Sequence, residues 1–543
     1  MSLPKEDKNT PIKLELIYSW SDLKAFTQRF RNEWILSILF LLLAFGQKLF
    51  SNSFSIDTES MVGNQSAQYG AWYGLDRFGL MWAKRILGLY WYNNAVASFL
   101  SIALLPIVAL LWGYLFYGVT QNKDNFHLAF WAIPLLVSPV LAEQLGFLLQ
   151  AVEINFGLII LPISLMMLVN TAHNVSRVKF RSHALSISIW IALTIIIFAF
   201  TISLYTAFVT IIISAVGMVY VLRFMHSTKL ERSENKSFWT YICLPAILCI
   251  FGYILFSIVS KIVLIALRQT TNPYITNQMR WGKDSLSQIF KTIVSHAINM
   301  ILANRIYYFI GFTIIAIFLF VLMLVKALKA NESWPVMLMF AAVLASPLLM
   351  SVLLGSTPAV RTEFTYVWVA SFTVMVLAQT LCAIRIQLGK IALASLLPWA
   401  LVLYVGWSQA LVTNRIFYTE SVVYSQDISR VHLIAQQINA LGQNQTSQLP
   451  VVFVGSLEQQ GNPDTYSPEK LDLIGRSLFS ITFSTEHGTW VKNHLFTSQG
   501  YMYILPNSQQ INQADEAAKT MPEWPEAGSV KIEEGIIIVN LHK

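Results

Sequence analysis

Charge is what this chain has least of. Only 12% of its 543 residues are charged, against roughly 25% in a soluble domain. An ordinary soluble enzyme is excluded by that balance. Cysteine is nearly absent: Cys243, Cys249 and Cys382 lie in apolar segments and form neither a disulfide framework nor a metal-ligand spacing. There is no G-x-x-x-x-G-K-[ST] phosphate loop, no H-E-x-x-H helix and no G-x-S-x-G turn in a strand-to-helix setting, so nucleotide-driven, zinc-protease and serine-hydrolase chemistries find no support. No low-complexity tract or short-period repeat occurs. The N-terminus reads as lacking a cleavable signal, because about thirty polar and amphipathic residues precede the first apolar run.

Long apolar runs are what the chain has instead: 55% of it is hydrophobic. A membrane span needs roughly 20 apolar residues, and about eleven segments qualify on that measure: 34–51, 95–119, 127–145, 147–170, 184–202, 204–222, 239–267, 305–326, 335–354, 364–384 and 391–411. In lipid the backbone must satisfy its own hydrogen bonds, so these are helices. The expected fold is a polytopic α-helical membrane protein. The net charge of +8 is explained by basic loops on the cytoplasmic side rather than by nucleic acid. Lys5, Lys8, Lys13, Lys24, Arg29 and Arg31, then Arg177, Lys179 and Arg181, then Arg223, Lys229, Arg232 and Lys236 all fall on one side if the span count is odd. The opposite, outer side receives the loop at 52–94, the turn at Glu143, the loop at 269–304, "GSTPAVRT" and everything after about residue 412.

Three regions follow. Residues 1–33 are a cytoplasmic amphipathic tail, 34–411 the transmembrane part, and 412–543 a small extracytoplasmic α/β domain. In the last, "YSQDISRVHLIAQQINAL" has a helical rhythm with Asp427 placed to cap it, "LPVVFVGS" and "GYMYIL" read as strands, and "GSVKIEEGIIIVNLHK" reads as two strands joined at "EEG". The loops at 52–94 and 269–304 carry aromatic and amphipathic segments suited to the membrane interface.

The outer loops hold the residues that carry chemistry. "SFSIDTES" places Asp57 and Glu59 just past the first span. Solvated loop acids are the plain reading. A base working on a membrane-borne substrate would also sit at this depth. Glu143 sits at an outer turn, and Glu153 within the membrane zone, where ionisable groups are functional candidates and Asn155 is a candidate partner. Arg361, at the start of a late span, is suited to hold a phosphate through both guanidinium edges. Arg77, Lys84 and Arg85 can do the same, or anchor in headgroups; Arg280 stands beside Trp281 and Lys283. The spacing of Asp57, Glu59 and Glu143 leaves ligation of a divalent metal open.

These residues, with their neighbours, carry a resemblance. "SFSIDTES" after the first span, "WYGLDRFGLMW", "SPVLAEQLGF" and "GSTPAVRTEF" are similar to the corresponding stretches of the bacterial GtrII-type membrane glucosyltransferases, within the polytopic GT-C group. "NRIFYTESVVYSQDISRVHLIAQQI", "PVVFVG" and "MPEWPEAGSVKIEEGIIIVNL" resemble the outer tail of Gram-positive members. The resemblance implies a GT-C-like fold and a bacterial plasma-membrane enzyme. It implies transfer of a hexose, commonly glucose, from a polyprenyl-phosphate donor to a cell-surface polysaccharide or teichoic acid, with inversion. It also implies roles. Asp57 is the base. Glu59 stands where many members have a second, adjacent acid. Glu143 orients the acceptor or a metal. Arg361, with Arg77, Lys84 or Arg85, holds the donor phosphate. Glu153 and Arg280 remain as further, acceptor-side candidates. A polysaccharide polymerase or ligase, a lipid-linked sugar transporter and a non-catalytic scaffold are the rival readings. The acid in the first outer loop, and the absence of internal symmetry, favour the transferase.

Overall fold

The computed structural model describes residues 16–541 apart from 54, 178–183, 226–234, 330–333, 384–386, 389–390, 443–447, 459–476 and 482. The expected basic residues Lys5, Lys8, Lys13, Lys179, Arg181, Lys229 and Arg232 lie outside the described residues.

Apolar length dictates the architecture. Among the described residues nine helices are long and apolar enough to cross a membrane: Arg31–Phe50, Asn94–Val119, Leu148–Val175, Leu185–Leu204, Thr240–Ala266, Ile310–Lys329, Trp334–Leu354, Phe364–Ala383 and Leu396–Ala440. The pair Leu128–Leu136 and Pro139–Gly146, bent by 49°, makes a tenth if it is one span. Phe208–Phe224 is apolar but shorter. Each of the eleven expected segments thus has its helix, and the difference in count lies in the short and broken ones. The break is physical. Pro139 at the first position of its helix has no N–H to continue the preceding one. The protein is a multi-pass membrane protein.

Burial separates central from peripheral helices. Leu148–Val175 and Phe364–Ala383 are mostly enclosed, whereas Thr240–Ala266 turns most of its surface outward. At the centre Trp368 meets Trp112 and Trp131 edge-on, and Trp112 and Trp131 are tilted by 32° to each other, with ring centroids 5.3–6.4 Å apart. Such contacts fix helix positions beyond what apolar area alone gives.

Between the first two spans lie two shorter helices, Ser60–Gly74 and Phe78–Ile86. The expected interfacial helix of the 269–304 loop is Leu286–Ile301. Its Leu286, Phe290, Val294 and Ile298 are exposed while Ile289, His296 and Met300 are buried, the two-faced pattern of a helix in the interface plane.

The last long helix runs without a break from Leu393 to Ala440. Asp427 therefore does not cap a helix start, as its sequence suggested. It is buried mid-helix and accepts from Ser477 Oγ at 3.0 Å and Leu478 N at 2.7 Å. Beyond it, β1 (Val451–Val454), β2 (Val530–Glu533) and β3 (Ile536–Asn540) form one sheet in the order β1-β3-β2. The β1–β3 pair is parallel and the β3–β2 pair antiparallel. Glu534 and Gly535 turn β2 into β3 with positive φ. "GYMYIL" forms no full strand; only a bridge between Pro450 and Ile504 is present.

Alternation along the strands builds two cores. Val451, Phe453, Ile537 and Val539 pack with Val431 and Ile434 of the long helix and with Leu495 of helix Thr485–Ser498. Val452, Val454, Ile536 and Ile538 pack with Ile511 and Ala514 of helix Ser508–Ala518. A sheet covered on both faces needs the continuous apolar runs this one has.

Candidate active site

The loop that holds Asp57 is pinned from three sides. Lys48 of the first span pairs with Glu420 of the last long helix, and the Lys48 Nζ donates to Ser53 O at 3.0 Å. Ser53 Oγ donates to Glu420 Oε1 at 2.8 Å. Ser55 Oγ donates to Gly146 O of the bent helix pair at 2.7 Å. Ile56 packs against the C-terminal core. Held at both ends, the chain places Asp57 at φ +78°, a left-handed conformation that costs a non-glycine residue energy and tends to mark a functional site.

Asp57 reaches solvent from a recess crowded by protein. That crowding raises its pKa, and Arg361, His487 and Arg77 pull it back down. Glu59, two residues on, is fully buried, and neither carboxyl oxygen has a hydrogen-bond partner among the described residues. Burial first, and the charge of Asp57 second, push it up to about 8. Both acids are raised; Glu59, at about 8, holds its proton at neutral pH, and Asp57 is the one that reaches solvent.

Two guanidinium groups face this recess. Arg77 is half-buried, with Nη1 donating to Gln150 Oε1 at 2.8 Å and its Cζ 5.0 Å from the Tyr205 ring centre. Its Nε has no hydrogen-bond partner among the described residues. Burial lowers its pKa, and Arg361 adds to that. Arg361 lies 4.3 Å over the Phe147 ring, with Nη2 donating to Tyr274 Oη at 3.4 Å. Burial opposes its charge, but Tyr205, Tyr274, Glu143 and Asp57 outweigh that and raise its pKa. Two like charges in one recess repel each other, so the arrangement suits an anion between them.

Glu143 sits on helix Pro139–Gly146, buried, and accepts from Tyr307 Oη at 3.2 Å. Gln144 beside it is fully buried, with neither amide atom hydrogen-bonded. Tyr308 Oη donates to Glu363 Oε2 at 2.6 Å. His296 Nε2 comes within 3.3 Å of the other Glu363 oxygen, without the alignment of a hydrogen bond. Burial raises Glu363 to about 7 and lowers His296 to about 4, so that contact is between largely neutral groups near pH 6.

The structure thus gathers Asp57, Arg77, Glu143 and Arg361, with Glu59 beneath. It places the other expected residues elsewhere. Lys84 Nζ is 2.9 Å from Glu153 Oε1, both buried. Each is held by the other, so neither the phosphate role of Lys84 nor the Asn155 partnership of Glu153 is what the geometry provides; Asn155 instead donates to Ser101 O. Arg85 is exposed and leans over Tyr90. Arg280 is exposed beside Asp284, at 3.9 Å. Among the described residues no group of three or more His, Cys, Asp or Glu is arranged to hold a metal ion. Sequence reading missed Tyr205, Tyr274, Gln144 and His487. They stand in turns, helix ends or the C-terminal region, with no local pattern that marks them.

An apolar groove of about 290 Å³ opens below Tyr366, lined by Met300, Phe312, Phe320, Leu344 and Val369. Thr313 and Thr373 also line it, but their hydroxyls are spent on Ile301 O and Ala370 O, each at 2.8 Å. Tyr366 Oη accepts from Phe309 N at 2.9 Å, one residue from the Tyr308–Glu363 pair.

No curated protein and no solved structure matches the chain. The family model for glucosyl transferase GtrII matches residues 46–378, more than half of the chain and a stretch that contains Asp57, Arg77, Glu143 and Arg361. The chain belongs to the GtrII glucosyl transferase family.

Proposed function

We propose that this protein transfers a hexose, glucose by its family, from a polyprenyl-phosphate donor to a cell-surface polysaccharide or teichoic acid on the outer face of the plasma membrane, as a GT-C-type enzyme. The observation that carries the reading is the accessible Asp57 carboxylate beside two half-buried guanidinium groups, one with a donor unused among the described residues. A sugar phosphate ester asks for that combination. Asp57 takes the proton of the acceptor hydroxyl. The freed oxygen bonds to the anomeric carbon from the face opposite the phosphate, and the carbon–oxygen bond to phosphate breaks. The polyprenyl phosphate leaves with the electron pair, and its charge falls to Arg77 and Arg361. Inversion follows from a single displacement. Phosphate is a good leaving group, so positioning and charge stabilisation do most of the work. Glu143, held by Tyr307, orients the acceptor, and the groove below Tyr366 takes the isoprenoid chain.

The outer placement rests on charge. The site lies at the ends of the helices opposite to Arg29, Arg223, Lys326 and Lys329, and basic residues favour the cytoplasm. The sheet-bearing region after about residue 412 is then outside, entered through the helix Leu393–Ala440.

The test uses full-length protein in lipid nanodiscs, polyprenyl-phosphate [13C]glucose, and surface polysaccharide from a strain lacking this protein. Labelled, inverted glucose on the polymer is the expected product. Transfer from nucleotide-glucose but not from the lipid donor would contradict the reading.

A further inference from the structure

The family match ends at residue 378, yet a group that bears on Asp57 comes from far beyond it. His487 lies in the first turn of helix Thr485–Ser498 and interacts electrostatically with Asp57. Its Nε2 is shielded from solvent and has no hydrogen-bond partner among the described residues. Two more rings stand with it. Phe483 meets His487 edge-on at 5.4 Å, and Trp490 lies nearly parallel to His487 at 6.2 Å and 28°. Phe483 is 73% exposed.

We infer that Phe483, His487 and Trp490 form the acceptor-sugar subsite, with His487 Nε2 holding the hydroxyl that Asp57 deprotonates; the inference rests on the glucosyl-transfer reading above. A pyranose ring has an apolar C–H face and a rim of hydroxyls. Aromatic rings with one polar handle match both. A base must touch the acceptor, and the guanidinium groups beside Asp57 are suited to the donor phosphate. The C-terminal rings supply the remaining neighbour of Asp57.

The platform is rigid. Ser484 Oγ accepts from His487 N at 3.1 Å and starts the helix. Lys492 Nζ donates to Ile481 O at 3.2 Å, fixing the chain just before Phe483. Thr489 Oγ1 and Asn493 Nδ2 bond the backbone of β1 at Phe453 and Val451. The same helix packs against Ser60–Gly74, which follows directly on the acid loop, and Ile56 enters the C-terminal core. Asp57 and the platform are therefore placed by one packing unit, which a preorganised site requires.

Initial rates are measured in the nanodisc assay against acceptor and donor concentration separately, for Phe483→Ala, Phe483→Tyr and His487→Asn. Melting curves check that each variant folds. For Phe483→Ala the acceptor KM rises about tenfold with donor KM unchanged, and Phe483→Tyr restores it. For His487→Asn kcat/KM for acceptor falls on the order of 30-fold, again with donor KM unchanged. Acceptor KM within about twofold of the unmodified protein in Phe483→Ala, together with acceptor kcat/KM within about twofold in His487→Asn, overturns the inference alone. A rise in donor KM instead assigns the rings to the donor or the bilayer and also overturns it. Absence of transfer by the unmodified protein removes the glucosyl-transfer reading and the inference with it.

Discussion

Two sets of charges in this charge-poor protein are built on opposite plans. In the helix bundle, Lys84 pairs with Glu153 and Lys48 with Glu420, each cation against an anion and each pair sealed from solvent. At the recess above them, Arg77 and Arg361 stand near one accessible carboxylate, a donor is left unused, and Asp57 is held in left-handed backbone. In the first plan each cation has its own anion and the pair ties helices together, although Glu153 Oε2 has no hydrogen-bond partner among the described residues. The second leaves an Arg77 donor unused among the described residues, and we propose that an arriving anion takes it. Burial and charge alone do not distinguish a structural pair from a site; the balance of partners does.

The largest effect expected is on the sealed set. Lys84→Met leaves Glu153 buried without its cation, and losing one partner of a buried pair costs on the order of 3–5 kcal/mol. Lys84→Met with Glu153→Leu should recover most of that, with transfer per folded molecule intact. Unfolding midpoints and rates on the same samples check both; lost transfer in a stable double variant would return Lys84 to the phosphate site.

The open set should behave inversely. Arg361→Ala is expected to lower kcat by roughly 10²–10³, the range for removing one charge-stabilising donor, while the melting midpoint barely moves. A variant that unfolds but transfers normally per folded molecule would erase the distinction.

Glu59 sharpens the comparison through pH. Its folded pKa, about 8, lies above the ordinary carboxyl value. The folded chain therefore keeps a proton that the unfolded chain loses as pH rises from about 4.5 to about 8, so stability falls across that window. Glu59→Gln should raise the melting midpoint at pH 8 by several degrees (on the order of 2–4 °C) and leave it unchanged at pH 4. A gain that is equal at both pH values would mean that Glu59 is not protonated in the folded state.

The smallest effect expected is a shift in the acid limb of kcat/KM. The base proposed at Asp57 works only when ionised, so activity is expected to fall as pH drops through its pKa. Arg361 holds that pKa down; residual activity of Arg361→Gln should lose its base at higher pH than the unmodified protein does. An unmoved limb would separate Arg361 from Asp57.

Much of the fold was legible because a span is a local property: about 20 apolar residues suffice to mark one. The acid loop, the Glu143 turn and Arg361 were legible as residues at the ends of spans for the same reason, since a span fixes where its flanks lie. What was not legible depends on distant pairing. Lys84 looks like Arg77 in sequence, and only Glu153, 69 residues away, makes it structural. Asp427 looked like a helix cap because "SQD" precedes an amphipathic run. The helix instead passes through it, since packing against Ser477 and Leu478 satisfies the carboxylate. His487 gave no signal, because its meaning comes from a helix docking beside a loop more than 400 residues earlier.

The central claim is that Asp57 is the base of a glucosyl transfer. The most direct test is mass spectrometry of the surface glycans from cells whose only copy carries Asp57→Asn, with membrane levels of the protein checked. Asparagine keeps the shape and removes the proton acceptor. The account predicts loss of a glucose branch at normal protein levels, matching complete deletion. A branch retained in Asp57→Asn but lost on deletion would contradict it, leaving a transferase whose base lies elsewhere.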